Sequence, residues 1–508
     1  MRLSIVAYSL VALAITGCSS NHDANPPTSA AAGTSAEAGS PEAAGAGEAA
    51  GAPTPSSGGR GHGGTIAEGG RSDLGGASSA GAGYSGEGGS DDTGGTSSNT
   101  GGTSSNTGGT SSNTGGTSST DDIGTWTDAP GTCPAGMDQL DITTVSGLEE
   151  ASRGEGSHES DPRSVCYLIH DGTYEQSGSS IPMYVTTGGS DAAHRRIFVG
   201  QSRSGVIIKG RAGIDGGASH VQISHLTFDL TGYSQDGSFN TLTLSEGSTD
   251  VRIDHVTFTG DCRTGANGGH VEVDGSTDVV VEACLIENFG RCGPDGHQDH
   301  GVYLASGRDI TIRNNDIRGN ASRGILFNTQ GGDYGTLDKV TIERNRIHDN
   351  GHADYEDGIA MNATGTGTVS NVMIQRNLIY SNYYSGVRVV GDAFDSIVIR
   401  NNTFYENGAA SSGSGRSELN LDDVGSGART SITRNIIVAA HRVLNDCYDA
   451  GPRDYVLSDN VVQGGLPTGD AGDCVSGAIE ADPRFVDASS ADLHTGNADV
   501  SGYGAYAP

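Results

Sequence analysis

The pattern apolar-x-apolar-x-x-Asn-x-apolar-x-x-Asn recurs through the second half of this chain, most clearly at Ile310 to Asn320. It returns at Val340 to Asn350, Val372 to Asn382 and Ile397 to Asn407. Weaker copies start at Thr430 and Tyr455, and earlier ones at Val221, Val251 and Val279. Aligned, the copies put Leu226, Val256, Cys284, Asn315, Asn345, Asn377, Asn402, Asn435 and Asn460 in one column, at spacings of 25 to 33 residues. Phe228, Phe258, Ile286, Ile317, Ile347, Ile379, Phe404, Ile437 and Val462 form a second column two positions on. Further short strands open near a glycine, among them Val302-Tyr303-Leu304, Ile325-Leu326-Phe327, Ile359-Ala360-Met361 and Val387-Arg388-Val389. Each alternates an inward apolar residue with an outward variable one. No helix-length amphipathic segment separates the runs, which argues against βαβ units. Residue content excludes the ankyrin, tetratricopeptide and β-propeller repeats. An all-β fold follows, a single-stranded solenoid of parallel coils in which stacked asparagine amides bond one another at a corner. Cys284, in the asparagine column, reads as a buried free thiol.

This repeat resembles the right-handed parallel β-helix of pectate-lyase-like proteins, from about Cys133 to the end. The resemblance implies fold but not activity, because such coils carry lyases, hydrolases, epimerases, tailspikes and adhesins. Val165 to Tyr174, with its Gly-x-Tyr ending, resembles the first coil of secreted β-helix proteins, and Val145 to Ala151 reads as a short capping helix. Ala481 to Asp487 with Asp492-Leu493-His494 resembles their closing segment, and is expected to cover the last coil.

The N-terminal quarter has a different character. Arg2, an apolar run from Leu3 to Ile15 and small residues after it read as an export signal. Ile15-Thr16-Gly17-Cys18 resembles a bacterial lipobox, which implies cleavage before Cys18, acylation of Cys18 and, with Ser19 next, passage to the outer membrane or cell surface. Residues 18–125 are dominated by Gly, Ser, Ala and Thr, with Gly-Gly-Thr-Ser-Ser-Asn-Thr repeated from Gly94, Gly101 and Gly108. Such sequence cannot offset its ordering entropy by burial, so a disordered tether is expected, spanning on the order of 55 Å. The expected organisation is a signal peptide over 1–17, a linker over 18–125 and a β-helix over 126–508.

A formal net charge of −33 leaves no basic face for nucleic acid. The acidity suits solubility or carboxylates arranged for Ca²⁺. Apart from Cys18 and Cys284, six cysteines remain, and disulfides are expected in an exported chain. Sequence neighbours suggest Cys133 with Cys166, Cys262 with Cys292 and Cys447 with Cys474. Connectivity is not fixed by spacing. A monomer is expected.

Chemistry in a solenoid comes from outward side chains in register on coils ~4.8 Å apart. The corner before the second strand puts His300, Arg323, Asp357 and Ser385 in one column, with Asp299, Ser322, Glu356 and Tyr384 beside it and Arg388 pointing outward nearby. β-Elimination or epimerisation at a uronic acid needs a cation for the carboxylate, a base for the C5 proton and an acid for the leaving oxygen. His297 or His300 is a candidate base, Arg323 or Arg388 the neutraliser, and Tyr355 or Tyr384 the acid. Alternatively Asp295, Asp299, Asp354, Glu356 and Asp357 hold a Ca²⁺ that neutralises. Asp/His/Gly-rich corners also arise because they turn well. Arg313, Arg344, Arg376, Arg400 and Arg434 recur at equivalent positions and read as a solvated stripe, and His225 and His255 read as structural.

Asp299 to Tyr303, Asp-His-Gly-Val-Tyr, resembles an Asp-His-Gly-Ile-Tyr element of bacterial β-helix proteins. Asp295-Gly296-His297 is similar to the Asp-Pro-His of mannuronan C5-epimerases, with Gly in place of Pro. Lyases resembling chondroitinase B use a lysine base, and neither Lys209 nor Lys339 falls in the column. Asp422-Asp423 lacks the Arg-Ile-Lys that accompanies such a pair in polygalacturonases. The expectation is a tethered protein acting on an extracellular polysaccharide, foremost as a lyase or epimerase of uronic acids. The alternatives are a non-catalytic carbohydrate-binding or adhesive protein and a glycoside hydrolase using two carboxylates among Asp299, Glu356 and Asp357.

Overall fold

The computed structural model describes residues 123–125 and 129–508, apart from 160, 163, 176–180, 233–239, 246, 262–267, 292–297, 330–334, 353–355, 364–366, 414, 423–428, 446–454 and 465–476. Its ladders are parallel, except for a hairpin of Phe485–Asp487 with Asp492–Thr495. The chain winds as a right-handed parallel β-helix with three faces. Face A holds Ile325–Asn328, Ile359–Ala363, Ser385–Gly391 and Ser417–Asp422. Face B holds Leu337–Glu343, Val369–Gln375, Phe394–Arg400 and Thr430–Thr433. Face C holds Asp316–Arg318, Arg346–His348, Leu378–Tyr380, Thr403–Tyr405 and Ile436–Val438. The long strand Asp299–Arg313 serves faces A and B in turn.

The repeat register is the pairing register. Ile310, Val340, Val372, Ile397, Thr430 and Tyr455 stack on face B. Ile317, Ile347, Ile379, Phe404, Ile437 and Val462 stack on face C, and their side chains are buried. The stack also reaches back beyond Val221, through Arg196–Gly200 and Val165–Ile169 to Gln139–Ile142. There the helix Val145–Arg153 buries Leu148 and Ala151; Thr144 caps it by accepting the Gly147 N–H, and Gly154 ends it at φ +67°.

The corner between faces B and C explains the asparagines. Asn345 Nδ2 donates to the Ile312 carbonyl at 2.9 Å and to Asn377 Oδ1 at 3.0 Å, while Asn345 Oδ1 accepts the Asn315 N–H at 2.9 Å. Each side chain thus satisfies backbone groups the turn would strand in the core. The ladder runs from Asn315 to Asn460. Cys284 takes its upstream end, with its N–H donating to Asn315 Oδ1 at 2.9 Å and its thiol pushed up to about 12 by burial. A second ladder, Asn320, Asn350, Asn382 and Asn407, runs at the corner between faces C and A. It ends on the buried Glu418, whose carboxylate accepts from the Asn407 amide at 2.6 Å and backbone N–H at 3.0 Å.

Two boundaries differ from expectation. The closing segment does not simply cover the last coil; it folds back along face C, where Leu493 and Ala505 pack on Leu378 and Tyr380, and Val500 on Ile436 and Val461. The reason is that face C carries these apolar side chains on its outer side and they need cover. Ile123, inside the expected linker, is 1% exposed in the same cluster. The Cys133–Cys166 disulfide is present, with Cα atoms 5.8 Å apart. Cys262, Cys292, Cys447 and Cys474, expected to pair, and Cys18 lie outside the described residues.

Candidate functional site

The expected column exists. Gly301 N–H donates to the Arg323 carbonyl at 3.0 Å, Gly324 N–H to the Asp357 carbonyl at 3.2 Å, and Gly358 N–H to the Ser385 carbonyl at 2.9 Å. His300, Arg323, Asp357 and Ser385 therefore occupy successive coils, and Ser417 follows Ser385. The glycine after each is what turns them. A Cβ on Gly324 would lie 2.7 Å from the Gly358 carbonyl oxygen and 2.9 Å from Asn350 Nδ2, so this position faces the asparagine ladder and admits no side chain. Its neighbour in the chain consequently faces away from the core. The adjacent outward row on face A is Tyr303, Leu326, Ala360, Arg388 and Asn420.

The column is not an open surface patch, as outward alternation suggests. His300, Asp357 and Ser385 are each no more than 1% exposed, and Leu326 and Ala360 in the neighbouring row are buried too. The Arg323 side chain keeps 14%. Polar groups close in on one another here instead of on solvent.

Asp357 is the centre of this cluster. Its Oδ2 lies 4.0 Å from Arg323 Nε, too far for a hydrogen bond, and neither carboxylate oxygen meets a donor in hydrogen-bond geometry. Burial pushes its pKa up to about 6, although Arg388, Arg323 and the nearby Ser385 hydroxyl pull the other way. The Ser385 hydroxyl and both amide atoms of Asn420 are likewise buried without a partner in hydrogen-bond geometry. Orphaned polar atoms in a protein interior mark a place where a polar ligand or water completes the bonding.

His300 is held differently. Burial and the charge of Arg323 keep it well below the ordinary imidazole range, so it is neutral. Its Nδ1 faces the Arg323 backbone N–H at 3.4 Å, which assigns the proton to Nε2, and its ring stacks on Tyr303 at 5.9 Å. The Tyr303 hydroxyl accepts from Asn328 Nδ2 at 3.0 Å.

The carboxylates beside the column close loops. Asp299 Oδ2 accepts the Arg291 backbone N–H at 2.8 Å and Nε at 2.9 Å, fastening both ends of the 291–299 loop. Glu356, equally buried, accepts the His352 backbone N–H and fastens the 352–356 loop. Tyr384 is 3% exposed and its hydroxyl abuts Gly415. His297, Tyr355, Asp295 and Asp354 lie outside the described residues. Of the expected Ca²⁺ ligands that are described, Asp299 and Glu356 accept from the backbone of their loops and Asp357 sits beside the Arg323 guanidinium. Asn420 is a member of the site that sequence reasoning missed; its signal is a lone polar residue between Leu419 and Leu421 in the row of Arg388.

Residues 198–439 match the family model described as right handed beta helix region. Solved structures similar to this chain include a rhamnogalacturonan lyase, at 13% identity over 73% of this chain and 100% of that one, with a TM-score of 0.43. The Dettilon tailspike protein matches at 15% over 69% of this chain, TM-score 0.42; this chain spans 61% of the tailspike's length. The A-module of the Azotobacter vinelandii mannuronan C-5 epimerase AlgE6 matches at 14% over 67% of this chain and 92% of that one, TM-score 0.39. No curated protein sequence matches this one.

Proposed function

We propose that the Asp357 cluster takes a uronic-acid unit of an extracellular polysaccharide and moves its C5 proton. What supports this most is the fully buried Asp357 carboxylate, both oxygens without a hydrogen-bond partner, with Arg323 Nε at 4.0 Å and its pKa pushed up to about 6 by burial. A base that titrates near neutrality is matched to proton abstraction next to a carboxylate. Arg323 and Arg388 receive the sugar carboxylate and neutralise the charge that builds on it as Asp357 takes the proton. The carbanion electron pair then expels the C4 oxygen, which leaves with the proton Asp357 has just taken and gives a C4–C5 double bond, or a water on the opposite face gives C5 a proton and inverts it while Asp357 returns its own to solvent. His300, neutral with its proton on Nε2, serves as a hydrogen-bond donor to the ring substituents.

Hydrolysis by two carboxylates is the weaker reading, because Asp299 and Glu356 are spent on closing their loops. The export signal and lipobox-like Cys18 are read as holding this activity at the cell surface, which Cys18→Ser with membrane fractionation tests. For the activity itself, the full chain is incubated with polymannuronate, polyguluronate and polygalacturonate, and ultraviolet absorbance of unsaturated ends and the uronate epimer ratio are followed. Either change supports the reading. Reducing ends without unsaturation point to hydrolysis, and binding without turnover to a carbohydrate-binding protein.

A further inference from the structure

A second polar feature lies at another corner of the solenoid, between faces B and C. Four consecutive coils each contribute one guanidinium to a single open cavity of about 430 Å³: Arg344, Arg376, Arg400 and Arg434. Arg344, Arg376 and Arg434 occupy the turn position just before the asparagine ladder. In the coil between Arg376 and Arg434 that position is Asn401, and Arg400 from the strand end supplies the guanidinium instead. The run is therefore unbroken over about 14 Å, at one coil per ~4.8 Å.

The fold does not ask for arginine here. Arg344, Arg376 and Arg434 have φ of +55°, +55° and +58°, the left-handed region that Asn, Asp and Gly enter most readily. Other coils fill the same corner with Asn314, Asn401 and Asp459. Two of the four guanidiniums bond neutral side-chain oxygens. Arg400 donates through Nε and Nη2 to the neutral Gln375 Oε1 at 3.1 and 3.0 Å, and Arg344 Nε donates to Asn314 Oδ1 at 3.2 Å. The Arg376 and Arg434 side chains make no hydrogen bond or ion pair among the described residues. Glu343 is the one carboxylate side chain lining the cavity, and it accepts from Gln375 Nε2 at 2.9 Å. Four guanidiniums share this cavity with Glu343 and Pro508, and they repel one another, in a chain whose net charge is −33. Such a grouping is stabilised when an anion enters it.

We infer that this arginine cradle is a binding subsite for an acidic polysaccharide, whose successive carboxylates meet successive guanidiniums. The coil step is close to the length of a pyranose unit, so a chain lying along the helix axis presents its charges in phase with the coils. A protein this acidic repels a polyanion over most of its surface, and a local cationic strip is what lets one dock. The inference rests on the proposed uronate substrate for the identity of the ligand, but it concerns a corner separate from Asp357.

The test uses the full chain and a fluorescent polygalacturonate oligomer, with affinity measured by anisotropy at several salt concentrations. The double variant Arg376→Asn/Arg434→Asn keeps a residue type already present in this corner, so the fold is preserved. It should bind about tenfold or more weakly, a loss of about 1.4 kcal/mol, and with a flatter salt dependence. Arg376→Lys/Arg434→Lys should restore most of the affinity. Affinity unchanged within about twofold in the Asn variant, or inorganic phosphate binding as tightly as the oligomer, overturns the inference. Asp357→Asn separates the two sites. Loss of oligomer binding in the arginine variant, with no C5 chemistry in the wild type, keeps the cradle and removes the proposed function. C5 chemistry with unchanged binding in the arginine variant does the reverse.

Discussion

Arg323 Nε and Asp357 Oδ2 face each other at 4.0 Å across adjacent coils, with Asp357 fully buried and no hydrogen bond joining them. A pair made for stability would be closer and bidentate. Here a buried carboxylate is left without a hydrogen bond, and the first prediction follows from its cost.

The Asp357 pKa is raised from 3.8 to about 6. A carboxyl raised on folding contributes stability that is fully present below the unfolded pKa and is lost as pH rises through the folded one. Over that window the loss is about 3 kcal/mol. Glu272, also raised to about 6, and Glu418, raised by its burial, act in the same direction, so the contribution of Asp357 must be read by difference. Asp357→Asn should gain on the wild type in denaturant midpoint between pH ~4 and ~7, and the two should converge at the acid end. A constant difference across that range contradicts the assigned pKa.

Arg388 is the larger of the two charges that lower the Asp357 pKa. Arg388→Gln should therefore move the acid limb of the pH–rate profile upward by about one unit, whereas Arg388→Lys should leave it nearly in place. An acid limb that stays put in the Gln variant assigns it to another group.

Asn345 satisfies the Ile312 carbonyl and the Asn315 N–H from inside the core. Asn345→Leu strands both and should cost about 2–5 kcal/mol in urea unfolding. A cost under about 1 kcal/mol means the ladder is a consequence of stacking and not a support for it.

Cys133–Cys166 closes a sequence separation of 33 residues at the N-terminal end of the stack. Replacing both by Ser should lower stability by about 3–4 kcal/mol on the chain-entropy account. If non-reducing peptide mapping finds either cysteine as a free thiol, the pairing is wrong.

The repeat made most of the fold legible. Asn315, Asn345 and Asn377 announce the corner because a stacked amide is one of few groups able to satisfy two buried backbone partners at once. The same register placed His300, Arg323, Asp357 and Ser385 on successive coils. Their burial was not legible. Alternation says which side a residue faces, but not whether its neighbours shut that side from water, and here they do. Nor does sequence alone show that Asp299 and Glu356 are taken up by the backbone of their own loops, since that depends on how those loops close. The arginines at 344, 376, 400 and 434 looked like a solvated stripe because a period reveals recurrence, not the cavity between recurring side chains.

The central claim, that Asp357 exchanges the C5 proton of a uronic acid, is most directly tested by proton NMR of a polyuronate panel in D₂O with the full chain. Loss of the C5 proton signal from one substrate, absent in Asp357→Asn while oligomer binding persists, is the predicted result. Full retention of the C5 signal in every substrate, or equal exchange by wild type and Asp357→Asn, contradicts it.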